Sequence, residues 1–333
     1  MTTGTLQSSF KSAWWLPEGH TQTLWRKFTA SNEIKHRRQR VNLKDGDFID
    51  LDWHEPENSN SISSRHYSAI AVLIHGLCGC SLSPYVVALQ KQLAQEDIAS
   101  VAINLRGCSG EENNLARAYH SGVSEDLNEV FNSLQSEYPN TQFMFIGYSL
   151  GANVLLKWLG ESETDERVSK AVAVSTPFQL DQCSQAMLRG PSSFYGSYFV
   201  NKLREDISNK ISSFGNRGLA AEQQKLLQLG KLEDIKSIWE FDDQVTAPLH
   251  GFGSAQAYYD QCSSRQFLKN ISANTLLIQS KNDPLIPEIA LPKNKELSAS
   301  VSFELAESGG HVGFVSGGKN NWLEQRIVQY LIG

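Results

Sequence analysis

Short, wholly apolar runs alternate with stretches of helical period along most of this chain. Ala69 to Ile74 carries no polar residue over its whole length, as a strand covered on both faces requires. Ile98 to Leu105, Phe143 to Ile146, Val168 to Val174, Thr275 to Ile278 and Val301 to Leu305 read as further strands. Between them, Val86, Leu89 and Leu93 share one helical face, opened by Ser83 as cap and Pro84 at the first helical position. Val123, Leu127, Val130, Phe131 and Leu134 form a second face, and Leu150, Val154, Leu155 and Trp158 a third, with Gly160 as its expected stop. Trp322, Ile327, Tyr330 and Leu331 belong to a closing helix. Upstream, Arg38 to Leu43 and Phe48 to Trp53 predict a hairpin turning at Lys44-Asp45-Gly46-Asp47, and Asn58 to Ser64 a Ser/Asn loop.

Strands separated by single helices predict an α/β fold with a mostly parallel, doubly wound sheet, here of eight strands. The rhythm stops between Pro177 and about Ser264. That stretch is helix-prone and rich in aromatic residues, among them Phe194, Tyr195, Trp239 and Tyr259, with no convincing strand. It reads as a helical cap inserted after the sixth strand. The expected organisation is an N-terminal arm over 1–36, a core made of 37–176 and 265–333, and a cap over 177–264.

Composition narrows the class. The chain has 333 residues, 40% apolar and 20% charged, with a net charge of −6, which gives ample core and no basic stripe for a nucleic-acid partner. The cluster Lys35-His36-Arg37-Arg38-Gln39-Arg40 reads as a solvated face. No apolar run reaches the roughly 18 residues of a membrane span, and Met1 to Phe10 lacks the layout of a signal peptide. Five cysteines suggest reduced thiols and a cytoplasmic setting. Cys78-Gly79-Cys80 is too closely spaced for a usual zinc site.

The chemistry begins at Gly147-Tyr148-Ser149-Leu150-Gly151, directly after an apolar strand and directly before a helix. A serine bracketed by glycines at that junction describes a nucleophile elbow, whose turn is so tight that neighbours two residues away must be small. A free hydroxyl is a poor nucleophile near neutral pH, so Ser149 needs a general base. Of eight histidines, only His250 and His311 follow it at long range, and His311 lies in the glycine-rich loop Ser308-Gly309-Gly310-His311-Val312-Gly313-Phe314 after the last strand. The acid belongs after the preceding strand, where Lys281-Asn282-Asp283-Pro284 offers Asp283. Asp242 and Asp243 are rivals that fit the chain order less well.

His75-Gly76-Leu77-Cys78-Gly79 follows the Ala69–Ile74 strand, so the backbone amides of Leu77 and Leu150 are the candidate oxyanion donors. His75 reads as a structural loop residue and Cys108 as a remote alternative nucleophile, because no elbow surrounds it. The glycines of Asn104-Leu105-Arg106-Gly107-Cys108-Ser109-Gly110 are expected to serve turn geometry. No spacing argument makes His120 catalytic. Ala13-Trp14-Trp15-Leu16-Pro17 either packs as an arm or touches a membrane surface.

The motifs Trp14-Trp15-Leu16-Pro17, His20-Thr21-Gln22-Thr23, His75-Gly76-Leu77, Ser83-Pro84-Tyr85 and Asn104-Leu105-Arg106-Gly107 resemble the YheT-type branch of the α/β-hydrolases. So do Tyr119-His120-Ser121-Gly122, the elbow, Leu155 to Glu161, His250-Gly251-Phe252 and Asn282-Asp283-Pro284. The resemblance runs from about Trp14 to the C-terminus. It implies an α/β-hydrolase fold, carboxylesterase or acylglycerol lipase activity on a small ester or lipid-like substrate, no cofactor or metal, and a charge relay of Ser149, Asp283 and His311. Two departures stand out: Ala152 follows the elbow where glycine is common, and Asn282 replaces the first of two usual aspartates. Rival readings are a thioesterase or amidase with the same machinery, a cofactor-free lyase or peroxidase, and a non-catalytic binder on this fold.

Overall fold

Nine strands build one sheet in the computed structural model, which describes residues 4–29, 34–56, 67–161, 163, 165–317 and 321–333. They are β1 (Gly4–Gln7), β2 (Arg37–Asn42), β3 (Phe48–His54), β4 (Ala69–Ile74), β5 (Ala99–Asn104), β6 (Gln142–Tyr148), β7 (Val168–Val174), β8 (Asn274–Ser280) and β9 (Val301–Ala306). Their order across the sheet is β1-β9-β8-β7-β6-β4-β5-β3-β2. The hairpin of β2 and β3 joins β5 antiparallel, and every other pairing is parallel. The predicted loop at Asn58 to Ser64 lies outside the described residues.

The expected sheet of eight strands gains a ninth. β1 pairs with β9 in parallel, from Gly4 opposite Ser302 to Gln7 opposite Leu305. At four residues, on an edge and paired on one side only, it has no need of an apolar run. Its sequence therefore carries no strand signal.

Apolar residues of the central strands divide between two faces. Ile70, Val72, Ile74, Phe143 and Phe145 face one core, which they share with Leu127, Val130, Phe131 and Leu134 of α3 (Ser124–Glu137, third after α1, Gly19–Thr29, and α2, Pro84–Gln95). Val154, Leu155 and Trp158 of α4 (Leu150–Glu161) complete that layer. Ala71, Leu73, Met144 and Ile146 face the other, against Val86, Leu89 and Leu93 of α2. A sheet buried on both sides has strands that are apolar at every position, and that explains the unbroken runs in the sequence.

Two local expectations are corrected. Gly160 does not stop α4, which continues to Glu161. A Cβ at Gly160 would come 2.4 Å from the Phe267 carbonyl, so glycine there permits close packing. Ser83 does precede α2, but its hydroxyl makes no cap to that helix and instead accepts the Cys80 N–H at 3.0 Å.

Between β7 and β8 the described chain is helical: α5 (Leu180–Ala186), α6 (Ser193–Arg217), α7 (Ala220–Leu227), α8 (Ile238–Phe241), α9 (Ala247–His250) and α10 (Ala255–Cys262). Val200, Ile207, Ile235, Ile238, Phe241 and Val245 give this segment a small core of its own, against which Leu77 also packs. α11 (Trp322–Ile332) closes the chain and joins α2 on its face of the sheet through Leu323, Ile327 and Leu331. Near the N-terminus, Ala13 and Leu16 pack on Val315 while Trp14 and Trp15 are exposed. Among the described residues, no helix is long and apolar enough to cross a membrane.

Candidate active site

Parallel strands deliver their carboxyl ends to one rim of the sheet, the usual place for chemistry in such folds. β6 is the central strand of the nine, and Ser149 follows it immediately, with α4 starting at the next residue. Ser149 has φ 51°, a left-handed conformation that costs a non-glycine residue about 1–3 kcal/mol and persists only when its surroundings impose it. The surroundings are explicit. Ser149 N–H donates to Val174 O of the neighbouring strand at 2.9 Å, and Ser149 O accepts the Ala152 N–H at 3.0 Å. A Cβ on Gly147 would sit 2.6 Å from Ala152 Cα, and one on Gly151 2.4 Å from His75 O. The small residues predicted at these positions are thus required by space.

His311 reaches over this rim from the loop after β9. Its Nε2 lies 2.9 Å from Ser149 Oγ, and its Nδ1 lies 2.9 Å from Asp283 Oδ2 and 3.1 Å from Oδ1. The Asp283 carboxylate is buried and accepts three further N–H groups: Leu285 at 2.8 Å, Ile286 at 3.1 Å and Gln279 Nε2 at 3.1 Å. Those donors hold it as an acceptor, so the Nδ1 proton of His311 points at Asp283 and Nε2 is left to accept from Ser149. All three predicted residues meet.

The loop carrying His311 is held from several sides. Thr23 Oγ1 of α1 accepts the His311 N–H at 2.8 Å, and Asn282 Oδ1 accepts Gly309 N–H at 2.9 Å and Gly310 N–H at 3.2 Å. The fully buried Gln22 brackets Val315, accepting its N–H at 2.6 Å and donating to its carbonyl at 3.0 Å. Reading the sequence left Gln22 and Thr23 without a role. Their only signal is the polar block His20-Thr21-Gln22-Thr23 in a segment far from the loop it clamps.

The Leu77 and Leu150 amides differ from their neighbours in having no internal partner. Gly76 N–H donates to Tyr85 Oη at 2.9 Å and Cys78 N–H to Tyr119 Oη at 2.9 Å. Between them, Leu77 N–H has no partner among the described residues, and the same holds for Leu150 N–H at the start of α4. Both residues line the cavity that holds Ser149 and His311. His75 is structural. Its Nδ1 donates to Gly76 O at 2.8 Å, its Nε2 accepts Leu105 N–H at 3.1 Å, and burial pushes its pKa down to about 4.

The rivals are elsewhere engaged. Asp243 accepts the Ala255 N–H, His250 bridges Thr246 O and Ala118 O, and His120 accepts the Gly122 N–H. Asp242 bonds Tyr259 and Thr246, with no histidine partner among the described residues. Burial holds the Cys108 thiol well above its ordinary pKa, the opposite of an activated nucleophile. Arg106 forms a buried two-pronged pair with Asp126 at 2.6 and 2.7 Å and so serves the fold. A cavity of about 70 Å³, open to solvent, spreads from Ser149 and His311 past Leu180, Met187, Phe199, Ile238, Leu285 and Ile286.

The sequence profile described as "alpha/beta hydrolase fold" matches residues 72–318. This chain belongs to the α/β-hydrolase family. The α/β-hydrolase is 37% identical over 316 residues to YheT of Escherichia coli K12, which bears an esterase's name, covering 94% of this chain and 89% of that one. It is 27% identical over 305 residues to the phospholipase ABHD3 of Homo sapiens, covering 91% and 73%. In structure it resembles the Pyrococcus furiosus esterase Pf2001 with a TM-score of 0.58, 13% identity, and 99% and 97% of the two chains covered. At that identity the likeness speaks for the fold alone.

Proposed function

We propose that this α/β-hydrolase cleaves carboxylic esters through an acyl-enzyme on Ser149, as a carboxylesterase or acylglycerol lipase. One observation carries the reading: the unbroken contact from Ser149 Oγ through His311 to the Asp283 carboxylate, at 2.9 Å on either side of the ring. His311 Nε2 takes the Ser149 proton as the oxygen attacks the ester carbonyl. The Leu77 and Leu150 amides receive the developing oxyanion, and Asp283 stabilises the imidazolium. His311 then protonates the departing alcohol. A water activated by the same ring attacks the acyl-enzyme, releases the acid and restores the serine.

The helical stretch over 177–264 acts as a cap on the core of 37–176 and 265–333, behind an arm over 1–36. Its contribution of Leu180, Met187, Phe199 and Ile238 to the cavity supports an apolar acyl group of short or medium length. The five unpaired cysteines support a cytoplasmic setting.

Labelling with a fluorophosphonate, followed by mass mapping of the adduct, tests the assignment. A single adduct at Ser149 is expected, with Ser149→Ala losing about 10⁴- to 10⁶-fold in turnover. Cleavage of p-nitrophenyl esters retained by that variant would remove Ser149 from the mechanism.

A further inference from the structure

Asp242 is a carboxylate in the cavity that the proposed chemistry leaves unused. It opens a π-helical turn, Asp242–Thr246, between α8 and α9, closed by the Ala247 N–H donating to Asp242 O. Such turns displace side chains from the regular helical face and recur at functional sites. Here the turn sets Asp242 in the wall of the cavity that holds Ser149 and His311. Its Oδ2 accepts the Tyr259 hydroxyl at 2.6 Å and its Oδ1 accepts Thr246 Oγ1 at 2.7 Å. No basic side chain pairs with it among the described residues. Burial raises its pKa to about 6.

Besides Ser149, His311 and Ser121, two more polar groups line that cavity. Tyr259 is one, and Ser184 of α5 is the other. Ser184 is 2% exposed, and its Oγ is buried without a hydrogen bond of proper geometry. It nonetheless lies near enough to the Tyr259 phenol to act on its ionisation. The rest of the wall is mainly apolar.

Complementarity identifies the missing group. Each Asp242 oxygen accepts one bond and has a lone pair to spare, while Ser184 Oγ makes no well-formed hydrogen bond to the nearby Tyr259 phenol. A methyl terminus placed here would leave both groups desolvated with nothing in return. An ammonium would satisfy the carboxylate but offer Ser184 no acceptor of its own in place of the poorly aligned phenol. A hydroxyl donates to one and accepts from the other.

We infer that Asp242, Ser184 and Tyr259 form a hydroxyl-binding subsite, so that the enzyme prefers an ester with an apolar arm carrying a remote hydroxyl over the same ester without it. The inference rests on the ester-hydrolase reading and names the substrate class that reading leaves open.

The hydroxyl can belong to the acyl chain or to the alcohol, and two series of esters separate these sources. One compares ω-hydroxyacyl esters with their deoxy counterparts over graded chain lengths. The other compares hydroxyalkyl with alkyl esters of a single acid. The readout is the ratio of kcat/KM between the members of each pair. A preference of about tenfold to a hundredfold in one series is expected, the gain of a hydrogen bond to a charged acceptor, and the responding series identifies the source.

Asp242→Asn keeps an acceptor for Tyr259, turns an N–H towards Thr246 Oγ1, and should reduce the ratio at least fivefold. Ser184→Ala, which removes one unbonded oxygen, should reduce it as well and decides the matter if the first variant does not fold. A ratio near one throughout both series, or one that neither variant changes, overturns the subsite while leaving the hydrolase intact. Absence of ester turnover together with an unlabelled Ser149 overturns the hydrolase reading, and the subsite with it.

Discussion

Thr23 Oγ1 accepts the backbone N–H of His311 at 2.8 Å and donates to Gly19 O at 2.7 Å, so one hydroxyl joins the first turns of α1 to the loop of the proposed general base. A base must stay within a few tenths of an ångström of its nucleophile, and misplacement by about 1 Å can cost a hundredfold. Thr23→Val keeps the shape and removes both bonds. It should lower kcat about tenfold to a hundredfold with little change in KM, while Thr23→Ser restores most of the rate. A loss shared equally by kcat and thermal stability, with no rescue by serine, would reduce Thr23 to a fold-holding role.

Asp283 is held in one rotational sense by its donors, and this makes its amide variant informative. Leu285 and Ile286 N–H both point at Oδ1, so the amide introduced by Asp283→Asn places its oxygen there and its NH₂ towards His311. The ring must then accept at Nδ1 and carry its proton on Nε2, facing Ser149 with a donor. Turnover should fall about 10³- to 10⁴-fold with the fold preserved. Ester hydrolysis by this variant at the parental rate would show that the carboxylate does not set the tautomer.

The elbow leaves no room at Gly151. A Cβ there would meet His75 O at 2.4 Å and Ile74 O at 2.5 Å, both backbone atoms of β4 and the loop after it. Neither can retreat without dragging the strand. Gly151→Ala should therefore cost several kcal/mol of stability, read by urea denaturation, and should abolish fluorophosphonate labelling. A soluble, fully labelled variant would show that the turn has slack which this geometry denies.

What the sequence made legible was what lies close together in the chain or repeats with a period. The elbow is five consecutive residues between a strand and a helix, and Asp283 and His311 follow the last two strands of the chain, β8 and β9, so all three were readable. β1 was not, because four edge residues paired on one side need no apolar pattern. The clamp of Gln22 and Thr23 on the His311 loop was also invisible: its bonds span 288 and 293 residues, and polar side chains in a helix give no periodic signal. Gly160 misled because a glycine at the end of an apolar stripe looks like a stop, whereas here it admits Phe267. Asn282 looked like a mere departure from a double aspartate. In the fold its amide oxygen, a neutral acceptor, binds two N–H groups of the His311 loop.

Asp242 should reveal itself in the pH dependence of stability. Its pKa rises from 3.8 to about 6 in the fold, chiefly through desolvation, with Tyr259 and Thr246 opposing the rise. The folded state thus keeps its proton in a range where the unfolded chain has already lost it, and folding becomes less favourable as pH climbs from about 4 to 6. Above that window the full penalty, at most about 3 kcal/mol, remains. Asp242→Asn has no proton to lose and keeps an acceptor for Tyr259, so its advantage over the parent should be near zero at pH 4 and largest at pH 7 to 8. Urea titrations at both ends measure this directly. An advantage independent of pH would mean that the carboxylate is not desolvated in the fold. With the expected slope, the parent carries a destabilising charge in the cavity that holds Ser149, and a residue present at the expense of stability in that place is better explained by what it binds than by what it supports.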